Sequence, residues 1–167
     1  MISEDMFKLN EQKYRNAILY FASKVGRGSV WGRKKLYKLF YYLDFDFFEK
    51  YDRPITGDVY HRLQMGPAPS YLDVIANDLS KEGLLSVKPN ETGSGYIDTI
   101  VYKAIGDPDM SVFDVEEVAM LERIVSKYGD KTGKELELLT HKEAPYLAVE
   151  EGEEIPFELS YYRGTDF

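Results

Sequence analysis

The sequence predicts an α+β fold that is mostly α: a helical core around a buried central helix over about 33–50, with small antiparallel strands at about 58–65, 84–88 and 96–105. Three observations lead there. Leu36, Leu39, Phe40, Leu43 and Phe47 recur at the spacing of one helix face, and Tyr37, Tyr41, Phe45 and Phe48 form a second apolar face beside it, so this helix is buried rather than laid on a surface. Further windows carry apolar residues three and four apart behind capping signals. Short runs with strand character, bounded by Gly and Pro, interrupt them. A length of 167 residues with 44% apolar content, 14 Tyr and 9 Phe fits a single folded domain, read here as 11–156, with 1–10 as a flexible N-terminus and 157–167 as a frayed tail.

In chain order, the first helix carries Tyr14, Ala17, Ile18, Phe21 and Val25 and breaks at Gly26-Arg27-Gly28-Ser29. The chain can reverse there, with Trp31 expected to wedge between the first helix and the central one. The central helix leaves a narrow polar stripe of Lys34, Lys38, Tyr42, Asp46 and Glu49, and stops at Asp52-Arg53-Pro54. Val59, His61, Leu63 and Met65 alternate with Tyr60, Arg62 and Gln64 as a half-buried strand up to Gly66-Pro67. Ser70 with Asp73 reads as a capping box opening a helix with Leu72, Ile75, Ala76 and Leu79, closed by Gly83. Leu84 to Lys88 and Tyr96 to Ile105 form a hairpin around a loop at 89–95. Ser111 with Asp114 repeats the box spacing, a Met110–Val115 staple is expected, and Val118, Leu121, Ile124 and Val125 carry a fourth helix to Gly129. Thr132 with Glu135 opens a short fifth helix that leads into His141-Lys142-Glu143-Ala144-Pro145-Tyr146.

Composition and charge narrow the function. With no cysteine, a disulfide scaffold, a thiolate metal site and a Cys nucleophile are excluded. The absence of a long apolar run and of a secretion-type start makes a cytoplasmic protein the expectation, with no membrane partner. Residues 1–103 hold 15 Lys and Arg against 13 Asp and Glu, whereas residues 104–167 hold 6 against 16. Lys24, Arg27, Arg33, Lys34, Lys35 and Lys38 form a run without an acid, which is either a solvated helix start or an anion-binding patch. Basic residues at the start of a helix and Asp46 and Glu49 at its end oppose its dipole, so the acidic third of the chain or another protein must offset them.

Catalytic signals are few. There is no P-loop, GxGxxG, HExxH or GxSxG. His141 follows Glu137 by four residues but lacks a third metal ligand, and fits better as a group complementing a helix C-terminus. No enzyme, cofactor or metal is therefore expected. Helix, helix and hairpin in this order suggest a winged DNA reader, but the candidate recognition helix carries Asp73, Asp78 and Glu82 against Lys81 alone, and phosphates repel such a helix. DNA is thus not expected as a partner.

Lys35-Leu36-Tyr37-Lys38-Leu39-Phe40-Tyr41-Tyr42, then Arg53-Pro54, then Gly66-Pro67 leading into a helix, then Tyr128-Gly129, Glu135-Leu136, Thr140-His141 and Pro145-Tyr146 together resemble the Panacea, or SocA-type antitoxin, domain over about residues 11–156. Tyr37, Ala68 and Tyr146 depart from its usual Gln, branched apolar residue and Trp. The resemblance implies a mostly helical domain, carried in bacteria and phages, that neutralises a toxin encoded beside it by direct binding. It also admits a role as a proteolytic adaptor, with a protease or chaperone as second partner. A regulator with a nucleic-acid target is the alternative. The expected partner surface is the polar edge of the central helix with the Gly-Pro turn, namely Lys34, Lys38, Tyr42, Gly66, Pro67, Pro69 and Tyr71, backed by His141, Pro145 and Tyr146. Glycine at 66 lets another backbone approach closely, and prolines at 67 and 69 stiffen the turn. Tyr37, Tyr41, Tyr42, Tyr60 and Tyr71 are counted as tyrosines in excess of a core's needs.

Overall fold

The structure, a computed structural model, describes residues 7–90 and 99–167. Helix α1 (Glu11–Lys24) starts where the Asn10 side chain accepts the Lys13 N–H at 3.0 Å, and ends at Val25 ahead of Gly26 in the left-handed region. After the two-residue strand β1 (Val30–Trp31), helix α2 (Arg33–Tyr51) runs through the centre of the domain. Tyr14 and Phe21 of α1 pack their rings 4.9 and 5.2 Å from that of Phe40. Helix α2 closes with Asp52 in the left-handed region, and the Asp52 carboxylate accepts the Tyr161 hydroxyl at 2.5 Å.

A hairpin follows, β2 (Tyr60–Leu63) and β3 (Gly66–Pro69), turning on Gln64 and Met65. Helix α3 (Leu72–Lys81) buries Leu72, Ile75, Ala76 and Leu79 as its spacing predicts. Strands β4 (Leu85–Pro89) and β5 (Ile100–Ala104) pair antiparallel, and β5 also pairs with β1, giving the order β1-β5-β4. Pro89, expected in the loop, ends β4 paired with Ile100, while 91–95 of the predicted loop and 96–98 of the predicted 96–105 strand lie outside the described residues. A 3₁₀ turn (Met110–Val112) leads to α4 (Val115–Tyr128), α5 (Gly133–Thr140) and the short α6 (Ala144–Leu147), and a 3₁₀ helix (Phe157–Tyr162) follows. The result is the mostly helical α+β architecture expected from the sequence.

Several local expectations are corrected. Trp31 is exposed in β1, its indole N–H donating to Ser29, and does not wedge between helices. In the first hairpin the buried residue is Tyr60, while Leu63 and Met65 face solvent, because the side that meets the core is the one whose hydroxyl reaches Asp44. Ser70 caps nothing: its hydroxyl donates to the Val59 carbonyl, and α3 has no side-chain cap. The box of α4 is Asp114 with Glu117, three residues later than predicted, since Asp109 caps the 3₁₀ turn through Ser111. Val115 is exposed, so no staple forms. The Thr132–Glu135 box forms as predicted. At the N-terminal side, Phe7 sets its ring edge-on to Phe48 and Phe157.

The largest correction concerns residues 157–167, expected to fray. Phe157 stacks on Phe48, and Arg163, nearly inaccessible, places its guanidinium 2.6 Å from Asp46, 2.8 Å from Glu49 and 3.3 Å from Glu143. Arg123 takes the second oxygen of Asp46 at 2.7 Å. A buried carboxylate left unpaired costs several kcal/mol, so the tail is fixed by the charges that α2 carries inward.

Leu39 and Phe40 are fully buried on α2. Replacing either by Ala is expected to lower stability by about 2–5 kcal/mol through lost burial and an unfilled cavity. Urea denaturation checks this, and an unchanged midpoint for both variants would contradict the assignment of this face to the core.

Candidate partner-binding site

The predicted polar edge of α2 lies inside the protein. Lys38 is only 2% exposed, and its ammonium donates to the Pro67 carbonyl at 3.1 Å. Tyr42 is buried, stacked on Tyr128 at 4.0 Å, with its hydroxyl donating to Glu143 at 3.0 Å; Tyr41 reaches the other oxygen of Glu143 at 2.7 Å. Lys34, half-buried, pairs with Glu137 at 2.7 Å. The offset that the helix dipole demands thus comes from the chain's own acidic third at the N-terminal end, and from Arg123 and Arg163 at the other. Tyr41, Tyr42 and Tyr60 are core residues, not spare interface tyrosines.

Gly66 does meet a close neighbour, though not a partner's backbone. At φ +112° a Cβ on it would come 2.5 Å from Lys38 Cε and 3.0 Å from Thr140 Oγ1, so glycine here makes room for the protein's own lysine. Pro67 and Pro69 are buried in β3, paired with Arg62 and Tyr60. Tyr71 stands apart at the start of α3, its ring exposed and its N–H donating to Asp58. Pro145 is buried in α6.

His141 and Tyr146 join the other side of the same hairpin. His141 is the C-cap of α5, as expected, and stacks on Tyr146 with ring centroids 4.5 Å apart. The Arg62 guanidinium lies 4.3 Å from the Tyr146 ring and donates to the carbonyls of Tyr146 and Val149 at 3.0 and 2.7 Å. The Tyr146 hydroxyl donates to the Leu63 carbonyl at 2.8 Å. Of the predicted set, Lys38, Gly66 and Pro67 meet below the hairpin, His141 and Tyr146 brace its tip, and Tyr42 reaches the region through Glu143 just ahead of α6.

These residues build a surface the sequence reading did not assign. Leu63, Met65 and Leu147 are 46, 57 and 59% exposed, and the Tyr146–Leu63 hydrogen bond sets α6 against the hairpin tip. The segment after α6 returns along the free edge of β2: Gly152 N–H donates to Arg62 O at 2.6 Å, Arg62 N–H to Glu153 O at 2.9 Å and Ile155 N–H to Tyr60 O at 2.7 Å. That pairing covers the edge and holds the exposed carboxylates of Glu150, Glu151, Glu153 and Glu154 beside the apolar tip. Two features of the sequence mark this surface, the apolar Leu63 and Met65 next to Gly66-Pro67 and the acid-rich Glu150-Glu151-Gly152-Glu153-Glu154 after the last helical pattern.

The fold and site define a mostly helical α+β domain with an apolar, acid-rimmed projection and, among the described residues, no helix long and apolar enough to cross a membrane. Within that class, the family model of the SocA-like antitoxin, Panacea domain, matches residues 36–146, and the chain belongs to that family. No curated protein and no solved structure matches it. The matched span runs from the start of α2 to Tyr146, and so holds the central helix, the hairpin and the α5–α6 brace.

Burial brings the Lys38 ammonium down to about pKa 7, with Lys34 adding to the shift and Glu137 opposing it. Between pH 7 and the ordinary lysine value near 10.4, the unfolded chain keeps a proton that the folded chain has released, so stability rises with pH through that window. Lys38→Met removes the titration while filling the same space. The parent is expected to gain on this variant by up to about 1.4 kcal/mol per pH unit between pH 7 and pH 10 in urea midpoints, and a constant difference would contradict the assignment.

Proposed function

We propose that this Panacea-domain protein is an antitoxin that neutralises a cognate toxin by direct protein–protein binding, acting as a binder and not as an enzyme. Membership of the antitoxin-like family supports the general role. The observation that carries the docking surface is the projection of Leu63, Met65 and Leu147 beside Glu150, Glu151, Glu153 and Glu154. An apolar centre with a polar, solvent-accessible rim is what a specific interface uses, and the carboxylates would steer a toxin with a basic surface, raising its association rate more than its affinity. The brace beneath, His141 on Tyr146 on Arg62, holds the tip stiff, which lowers the entropy lost on docking.

A nucleic-acid target fits less well. The exposed face of α3 carries Asp73 and Asp78, with Glu82 just past its end paired to Arg15, and the surface beside the hairpin is acidic. An adaptor role, in which a protease takes the captured toxin, adds a second partner to the same complex and is read out as a shortened toxin half-life when the antitoxin is present.

Co-expression with the reading frame encoded beside this one is expected to relieve growth arrest and to yield a complex by pull-down. Leu63→Asp together with Met65→Glu, both on the exposed tip, is expected to fold normally and to weaken binding at least tenfold, about 1.4 kcal/mol. Full neutralisation by that variant would move the surface elsewhere.

A further inference from the structure

The basic run that begins α2 is not absorbed by the docking surface. Arg33, Lys34 and Lys35 line a cleft of about 650 Å³, and Lys131 and Lys134 reach it from the start of α5. Residues distant in sequence are brought together because Gly133 packs against the first turn of α2, where a Cβ would lie 3.3 Å from the Lys35 backbone nitrogen. Asp130 is the carboxylate in the wall. Nearby acids meet part of the charge: Glu137 is shared by Lys34 and Lys134 at 2.7 and 3.1 Å, Asp73 lies 3.6 Å from Arg33, and Glu135 is turned into the capping box of α5. Lys35 donates to the Gly129 carbonyl at 2.7 Å with Asp130 and Glu135 facing it, and Lys131 faces Glu135 without a direct ion pair among the described residues. The first turn of α2 has neither an acid nor a side-chain cap, so its amide dipoles add to the cationic field.

Three of the five cations have a carboxylate partner, and Lys35 and Lys131 have no direct ion pair among the described residues, so the cleft keeps a cationic surplus that a multivalent anion meets with charge-assisted hydrogen bonds. Monovalent ions do so less well in physiological salt. The volume is within the range of small-molecule sites, and one wall is apolar and aromatic, formed by Trp31 and Ile100. We propose that this cleft binds a small polyphosphate-bearing anion, its phosphates held by Arg33, Lys35, Lys131 and Lys134 and any attached ring placed beside Trp31. The site is separate from the proposed docking surface and stands whether or not a toxin binds.

Trp31 is the sole tryptophan of the chain, so its fluorescence reports occupancy directly. At physiological salt, inorganic tripolyphosphate and ATP are each expected to change that fluorescence saturably in the isolated full-length protein, and adenosine is not. Lys131→Glu is expected to weaken both at least tenfold, Lys131→Gln less, with circular dichroism unchanged. Arg27→Glu, an exposed basic residue outside the cleft, should leave them as in the parent. No saturable change with tripolyphosphate, equal binding of adenosine, or equal loss in Arg27→Glu and Lys131→Glu would each overturn the proposal.

Discussion

Everything in this domain answers to the polar groups that α2 carries into its centre. A helix apolar on two faces must be surrounded, yet this one also bears Lys38, Tyr42, Asp44 and Asp46, all buried, and a buried charge or hydroxyl without a partner costs several kcal/mol. Each is met by a different part of the chain. Asp44 accepts the N–H groups of Ile55 and Thr56 at 2.8 Å, the Thr56 hydroxyl and the Tyr60 hydroxyl at 2.6 Å. Burial still pushes its carboxyl up to about 6 against those bonds. Asp46 is met by two arginines, Lys38 by the Pro67 carbonyl and Tyr42 by Glu143. The loop after α2, the hairpin, the start of α6 and the C-terminal tail are thereby fixed in position by four residues of one helix.

The same constraint separates what the sequence made legible from what it did not. The central helix, the buried face of α3 and the Thr132–Glu135 box are local patterns, written in residues three and four apart, and they formed as read. The burial of the polar stripe is not legible locally because its partners are remote: Arg163 lies 117 residues from Asp46, and Glu143 lies 101 from Tyr42. Nothing within one helical turn tells a solvated lysine from one whose acceptor arrives 29 residues later, as with Lys38 and Pro67. For the same reason the tail looked dispensable, since the value of one arginine depends on carboxylates far upstream. The α4 box was misplaced for a different reason, because two overlapping sets of residues share the same spacing and only the 3₁₀ turn at Met110–Val112 chooses between them.

Family membership and this structural logic meet in the hairpin. The matched span ends at Tyr146, the residue whose hydroxyl fastens the hairpin tip and whose ring carries both Arg62 and His141. Those groups are buried or half-buried and so shape the surface without forming it. What reaches solvent is a short apolar projection and the acidic turn paired to the edge of β2, an arrangement set by the interior and free to vary in the side chains it shows.

The proposed docking places a toxin on this projection and not on the helix beneath it. Hydrogen–deuterium exchange on the protein alone and in complex with its toxin tests that directly. Added protection at 62–65 and 147–154, with the amides of α2 unchanged, is the predicted result; protection confined to α3, with the hairpin tip exchanging as in the free protein, would contradict it.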